Sequence, residues 1–304
     1  MKAPSFLRKW FVYESWAVAW RVLPDTHAPY PASGGETPRY RVLDAGRGHW
    51  LADPFLLSHG GQVWLFFEYM PLHSKRASIG CCTLSREGPG PSQPVLEGPC
   101  HLSYPAVFEY GGEIYMLPES LGSRSVTLYR AADFPRRWEA AAALLTNFDA
   151  VDTTPELGGE GVTLFIYDPD APHNALRRLY TARLDPSKHT LGPLIERAAY
   201  PTPLGRPAGL PFWQNGERVR PTQDGTRRYG GSVRYLAYDE QGGRWIEREA
   251  GTLRPGDVVS DLPFRARGLH TINRCGGFEV IDLYYERFSL LKPVRALLSR
   301  LRRR

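Results

Sequence analysis

The chain repeats itself about every fifty residues, and a period of that length admits few architectures. The segment from Asp53 to Tyr69 aligns without a gap on the segment from Tyr104 to Ser120. Both carry a proline (Pro54, Pro105), then a glycine pair (Gly60-Gly61, Gly111-Gly112), an aromatic-rich run, and a glutamate fourteen residues after the proline (Glu68, Glu119). Gly-Gly between two alternating apolar runs signals a tight hairpin, because both turn positions accept positive φ. Each copy therefore reads as strand, turn, strand.

Weaker copies follow. Asp152-Thr153-Thr154-Pro155 leads through Gly158-Gly159 into Val162–Tyr167. Arg206-Pro207 leads through Asn215-Gly216 to Gln223, which stands where the earlier copies carry Glu. Leu269–Asn273 leads through Gly276-Gly277 into Phe278–Ile281. Counted from positions 53, 104, 154, 206 and 269, the spacings are 51, 50, 52 and 63. A fifty-residue unit with several short strands is a propeller blade. The expectation is an all-β, five-bladed β-propeller.

Further β-rich runs behind each hairpin (77–83, 125–129, 179–184, 232–238) supply third strands, and Arg244–Glu247 is the best outer strand. The fifth unit has too little sequence after it to complete four strands. The N-terminal runs Trp16–Val22 and Tyr40–Leu43 are expected to join it and close the ring, removing open sheet edges. Residues 1–286 thus read as one domain and 287–304 as a tail.

Net charge is +6, but residues 287–304 carry seven basic side chains and no acid, which leaves the rest at −1. A body so balanced argues against a nucleic-acid partner, which would need basic residues spread over the folded surface. In the tail, Leu290, Leu291, Val294, Leu297, Leu298 and Leu301 recur at helical spacing opposite the arginines. The expectation is a short basic amphipathic helix that either rests on an anionic membrane surface or docks its leucine face on the propeller. No run is long and apolar enough to span a bilayer, and Arg8, Lys9 and Glu14 break the N-terminal apolar stretch. Four cysteines without CxxC spacing or histidine partners read as free thiols, with Cys81 and Cys82 on opposite strand faces. The expected location is the cytoplasm, peripheral to the inner membrane face. No cofactor or metal is expected.

In a propeller the inner strands surround an axis, so residues at one end of them converge from distant parts of the sequence. The alignment places Asp53, Tyr104, Asp152, Arg206 and His270 at the start of the inner strands, with Glu68, Glu119, Gln223 and nearby Asp224 at the ends of the second strands. His49, Trp50, His101, Ser103, Thr153, Thr154, Arg220 and Asn273 lie beside them. Carboxylates and amides bond paired hydroxyls while aromatic faces cover the C–H side of a sugar ring. Each residue also has a plainer use: Asp53 as a turn cap before proline, His270 as a satisfied core histidine, Glu119 as an outward acid. Arg206 needs an anion, from Asp53, Asp152 or a bound phosphate.

The motifs Trp50-Leu51-Ala52-Asp53-Pro54-Phe55, His101–Tyr110 with Tyr115–Ser120, Arg206-Pro207-Ala208-Gly209, Arg220–Asp224 with Tyr229-Gly230-Gly231, and Gly268–Asn273 together resemble one family. It is the N-terminal propeller domain of plant glucosamine inositolphosphorylceramide transferase and its stand-alone bacterial relatives. The resemblance runs from about residue 45 to 282. It implies a fold like the arabinanase and invertase propellers, and a place in surface-polysaccharide or glycolipid biosynthesis alongside the enzymes of that process. In the plant protein a separate domain is the recognised transferase, so that activity is not inherited. The hydrolytic propellers use carboxylates from three consecutive blades; here the second blade aligns Tyr104 instead, and Asp152 sits two residues before its aligned position. Three readings follow. The first is a propeller binding an anionic sugar, sugar nucleotide or lipid-linked glycan, and acting on it through Asp53, Asp152 and Glu119, with Arg206, Arg220 and His270 on the anionic group. The second is a glycoside hydrolase, and the third a non-catalytic scaffold.

Overall fold

The computed structural model describes residues 10–23, 37–46, 48–72, 74–159, 161–169, 176–289 and 292. Its strands, in chain order, are β1 (Val12–Val22), β2 (Arg39–Val42), β3 (His49–His59), β4 (Gln62–Pro71), β5 (Ser78–Leu84), β6 (Gln93–Leu96), β7 (His101–Tyr110), β8 (Glu113–Leu121), β9 (Ser125–Asp133), β10 (Arg137–Thr146), β11 (Val151–Gly158) and β12 (Gly161–Asp168). They continue as β13 (Arg177–Asp185), β14 (Thr190–Leu191), β15 (Ile195–Tyr200), β16 (Phe212–Gln214), β17 (Glu217–Asp224), β18 (Ser232–Gln241), β19 (Arg244–Leu253), β20 (Val259–Ser260), β21 (Ala266–Gly268), β22 (Ile272–Cys275) and β23 (Phe278–Phe288). Five sheets result: β3–β6, β7–β10, β11–β13 with β14 and β15 on β13, β16–β19, and a last sheet that joins both ends of the chain. The fold is the expected five-bladed propeller.

The turn glycines act as the sequence predicts. Gly60-Gly61, Gly111-Gly112 and Gly276-Gly277 all take positive φ, between 58° and 81°, which matches the twist of the strands they join. Ring closure is also as expected. β1 pairs antiparallel with β23 through eleven residues, from Val12 opposite Phe288 to Val22 opposite Phe278, and β2 follows outside it. Arg287 and Phe288, assigned from sequence to the tail, are the last residues of β23. The expected amphipathic helix lies outside the described residues except for Ser289 and Lys292.

Blades are held together by apolar layers. One buried cluster takes Phe55, Phe66, Tyr104, Phe108, Leu117 and Leu164 from blades 1 to 3; another takes Val18, Trp20, Leu65, Phe67 and Val280 from blades 5 and 1. Each fully buried side chain of this size contributes about 1.5–3 kcal/mol. Cys81 and Cys82 fall into these two different clusters, as strand alternation requires.

Three inner strands share one irregularity, and it positions the site. The pairing of β3 with β4 slips between Ala52 and Phe55, that of β7 with β8 between Ser103 and Ala106, and that of β11 with β12 between Val151 and Thr154. The first bulged residue in each is left-handed: Asp53 at φ 50°, Tyr104 at 46° and Asp152 at 49°. For side chains with a Cβ such a conformation is strained, and bulges of this kind re-aim side chains. Asp152 is therefore the true counterpart of Asp53 and Tyr104, not a residue displaced by two. The proline was the wrong anchor. In blade 3 Gly158 pairs with Gly161, so the turn starts at Gly159, and Asp152 precedes Gly159 by seven residues just as Asp53 and Tyr104 precede Gly60 and Gly111.

Candidate functional site

At one end of the axis carboxylates meet from three consecutive blades, Asp53 and Asp152 on their bulges and Glu119 near the end of β8. Asp152 and Glu119 share Arg206 of blade 4. Its Nε donates to Asp152 Oδ2 at 2.5 Å, and its Nη2 donates to Asp152 Oδ1 and Glu119 Oε2, each at 3.0 Å. Gln223 Nε2 donates to Asp152 Oδ2 at 2.7 Å, and the Asp152 backbone N–H reaches Glu119 Oε2 at 3.1 Å. The Asp152 and Glu119 side chains are 1% and 7% exposed while Arg206 is 24% exposed, so the arginine is the member of the group open to solvent. Burial pushes the Glu119 carboxyl well above its usual range; Asp152 and Asp53 add to the rise, and Arg206 opposes it.

Across the axis, Asp53 accepts from Thr271 Oγ1 at 2.8 Å and from the Tyr104 backbone N–H at 3.3 Å. His270 Nδ1 lies 3.7 Å from Asp53 Oδ1 and 2.5 Å from Asp282 Oδ2, with both acids and the ring buried. Burial raises the Asp53 carboxyl to about 7, with Asp152, Glu68 and Asp282 adding to the rise against His270. For His270, burial alone would lower the pKa, but Asp282 and Asp53 outweigh it and hold the imidazole near 9. Asp53, His270 and Asp282 offer donor atoms within 4.8 Å of one another, a set that could surround a cation. A protonated His270 between two carboxylates satisfies the same charges without one.

The wall above is aromatic. Trp16 of the closing strand stacks on His270 at 4.0 Å and 13° between planes. Tyr229, on the 225–231 loop, meets His270 edge-on at 5.3 Å and lies under the Arg206 guanidinium at 5.8 Å. Gly230 must be glycine here: it has φ 60°, and a Cβ would sit 2.5 Å from the Trp16 ring.

Asp53, Glu119, Asp152, Arg206, Gln223 and His270 are thus brought to one end of the axis. Thr153 is buried beside Asp152 on its bulge, and Trp50 packs near Trp16, Ala52 and Tyr284 at the rim. Tyr104 is fully buried beneath them, its hydroxyl accepting from Gly209 N–H and bonded to Thr154 Oγ1, both at 2.8 Å. Asn273 is likewise buried, bridging Pro54 O and Leu210 N–H. Both brace neighbouring blades. Arg220 points elsewhere: its guanidinium bonds Glu247 Oε1, Gly205 O and Tyr200 Oη. Asp224 accepts from Thr226 and Arg234. Residues 220 and 224 lie an odd number of positions from Gln223, so strand alternation turns them to the opposite face of β17.

Sequence reasoning left out Asp282, Thr271, Trp16 and Tyr229, but it did bring Glu68 and His101 to the mouth, where Glu68 Oε1 and His101 Nε2 lie 3.0 Å apart. Glu68 was legible through its alignment with Glu119. Asp282 was not, since it reaches the axis from a position two residues before the one aligned with Glu68 and Glu119.

Residues 40–241 match the family described as glucosamine inositolphosphorylceramide transferase 1, N-terminal. Glucosamine inositolphosphorylceramide transferase 1 of Arabidopsis thaliana is 39% identical over 108 residues, covering 35% of this chain and 14% of that protein. Its namesake in Oryza sativa subsp. indica is 29% identical over 194 residues, covering 61% of this chain and 26% of the relative. The chain spans about a quarter or less of the curated relatives it matches. Among solved structures, a thermostable family-43 glycoside hydrolase superposes with a TM-score of 0.55 at 11% identity, covering 80% of this chain and 90% of that one. The beta-1,2-mannobiose phosphorylase from Listeria innocua gives 0.57 at 10% identity, covering 84% and 94%. At these identities the likeness is one of fold, a propeller shared with carbohydrate-active enzymes. Taken with the match over most of its length, the chain belongs to the family of the glucosamine inositolphosphorylceramide transferase 1 N-terminal region.

Proposed function

We propose that the axial mouth binds a sugar-containing ligand of surface-polysaccharide or glycolipid biosynthesis and acts on its glycosidic oxygen. The observation that carries this reading is the approach of Asp53, Glu119 and Asp152 from three consecutive blades, near enough that burial and mutual repulsion raise the first two. Cleavage or transfer at a glycosidic carbon needs one carboxyl that keeps its proton near neutrality and a second that is ionised. Glu119 suits the first role, donating to the departing oxygen. Asp53, at about 7, is poised to act as base or nucleophile on the other side. Arg206 holds Asp152 and Glu119 in place through its three hydrogen bonds. Tyr229, exposed beside His270, offers a face for the apolar side of a sugar ring.

The test is thermal-shift screening of the purified chain against sugars, sugar nucleotides and lipid-linked sugars, followed by product analysis with any stabilising ligand. Asp53→Asn and Glu119→Gln should keep binding within a few-fold and abolish turnover. A ligand turned over equally well by both variants would refute the chemistry. Absence of any stabilising sugar, with no change of biological activity in Asp53→Asn, would favour a scaffold.

A further inference from the structure

Beside the mouth lies a cavity of about 710 Å³ that the carboxylate site does not use. Its floor is apolar, from Val258, Leu262 and Ala266, and its charged lining is Arg228, Arg265 and Arg267 without an acid. A second hollow of about 400 Å³ adjoins it, sharing Arg228 and Arg267 and adding Arg227, Arg234 and Arg254. The two acids of that hollow, Asp224 and Glu249, are both engaged by Arg234, while Glu286 engages Arg267. Asp257 and Asp261, on the same segment, accept the backbone N–H of Arg254 and of Val42. Arg227, Arg228, Arg254 and Arg265 consequently make no ion pair among the described residues.

Arg227, Arg254 and Arg265, with Arg228 held over Tyr284 between them, line two adjoining hollows without an acid partner and repel one another, and a multivalent anion relieves that repulsion. A single carboxylate would occupy one guanidinium fork; a diphosphate or phosphodiester has oxygens enough for several. The hollow is also tied to the sugar site by one short loop. Arg228 lines it, with its guanidinium over the Tyr284 ring at 4.2 Å, while its neighbour Tyr229 touches His270, Trp16 and Arg206.

We propose that this arginine-lined hollow is a phosphate-binding subsite, holding the diphosphate or phosphodiester that carries the sugar presented to the axial mouth. The inference rests on the mouth being a sugar site, but it is tested separately. It also moves the anion from Arg206 and Arg220, whose guanidinium groups are engaged internally, to arginines that are not.

The experiment titrates the intact chain with pyrophosphate, with UDP, and with glycerophosphoinositol, a soluble phosphodiester headgroup that leaves out the bilayer surface. The Arg254→Ala/Arg265→Ala and Arg227→Ala/Arg265→Ala variants are compared with Arg137→Ala, a remote exposed control, and with Asp53→Asn. These arginines are exposed, so circular dichroism should be unchanged. Expected is salt-sensitive binding that weakens at least tenfold in both double variants and is unaltered in the control and in Asp53→Asn. Binding of pyrophosphate or UDP identifies a free or nucleotide diphosphate as the source; binding of glycerophosphoinositol alone identifies a lipid headgroup. Either supports the subsite. No binding of any probe to the wild-type chain, or equal binding by the double variants, overturns it. Arginine-dependent pyrophosphate binding in a chain that takes up no sugar would sink the reading of the mouth and leave the phosphate subsite standing.

Discussion

Replacing Asp53 with Asn should make the protein more stable in mildly alkaline solution, which is the reverse of what losing a buried hydrogen-bonding residue usually does. The amide keeps the shape of the carboxylate: its oxygen can accept from the Tyr104 N–H, and its NH2 can donate to Thr271 Oγ1, whose hydroxyl turns to accept. Its backbone is left-handed at φ 50°, a conformation Asn tolerates well. What changes is the charge. The folded Asp53 carboxyl holds its proton to about pH 7, against about 3.9 in an unfolded chain. A carboxyl raised on folding contributes stability that is full below the unfolded value and is lost as pH climbs through the folded one. Between pH 5 and pH 7 the loss is about 1.4 kcal/mol per unit, or about 3 kcal/mol in all, and it levels off above 7. Asn pays none of it. The stability difference between Asp53→Asn and wild type should therefore widen by about 3 kcal/mol, roughly 6–10 °C in melting temperature, from pH 5 to pH 8. Paired urea or thermal denaturation curves at the two pH values measure it. A variant less stable than wild type at pH 8, or a difference equal at both, would refute the assignment of a strained acid at the axis.

Arg206→Ala leaves Asp152 and Glu119 buried without their cation, and should cost about 3–5 kcal/mol at pH 8. The deficit should shrink towards pH 5 as the raised Glu119 carboxyl regains its proton, read from urea denaturation at both values. Tyr104→Phe strands the buried Gly209 N–H and should lower stability by about 1–3 kcal/mol in a thermal melt, with no change in sugar binding. Deleting residues 293–304 removes five arginines and should abolish sedimentation with anionic vesicles while leaving the melting temperature within a degree or so of wild type.

The ring was legible because its cause is local. Glycine pairs fix hairpins without reference to the rest of the chain, so Gly60-Gly61, Gly111-Gly112 and Gly276-Gly277 announce the period by themselves. Glu119 and Gln223 were placed by the same count, seven residues past their turns. Asp152 was misregistered because Pro155 was aligned with Pro54 and Pro105, whereas the backbone keeps its distance to the turn. Arg220 was expected to hold an anionic group of the ligand, but it is taken by Glu247 from an outer strand, and no pattern within β17 reveals that pairing. Asp282, Trp16 and Tyr229 depend on how blade 5 closes and how one loop folds back. Such contacts between segments more than two hundred residues apart, like Trp16 on His270, leave no periodic trace.

The eleven-residue seam between β1 and β23 has a further consequence for how the ring is carried in a larger protein. Because Val12 faces Phe288, and Ser289 N–H bonds Phe11 O, the two ends of the chain leave the ring side by side. Four rungs inward, Trp16 faces Tyr284 and stacks on His270, so the exit lies on the rim of the opening that holds the carboxylates. Any module spliced before Phe11 or after Ser289 is tethered at a single post above that opening. A short linker on either side would suffice to keep a catalytic module within reach of whatever the opening holds.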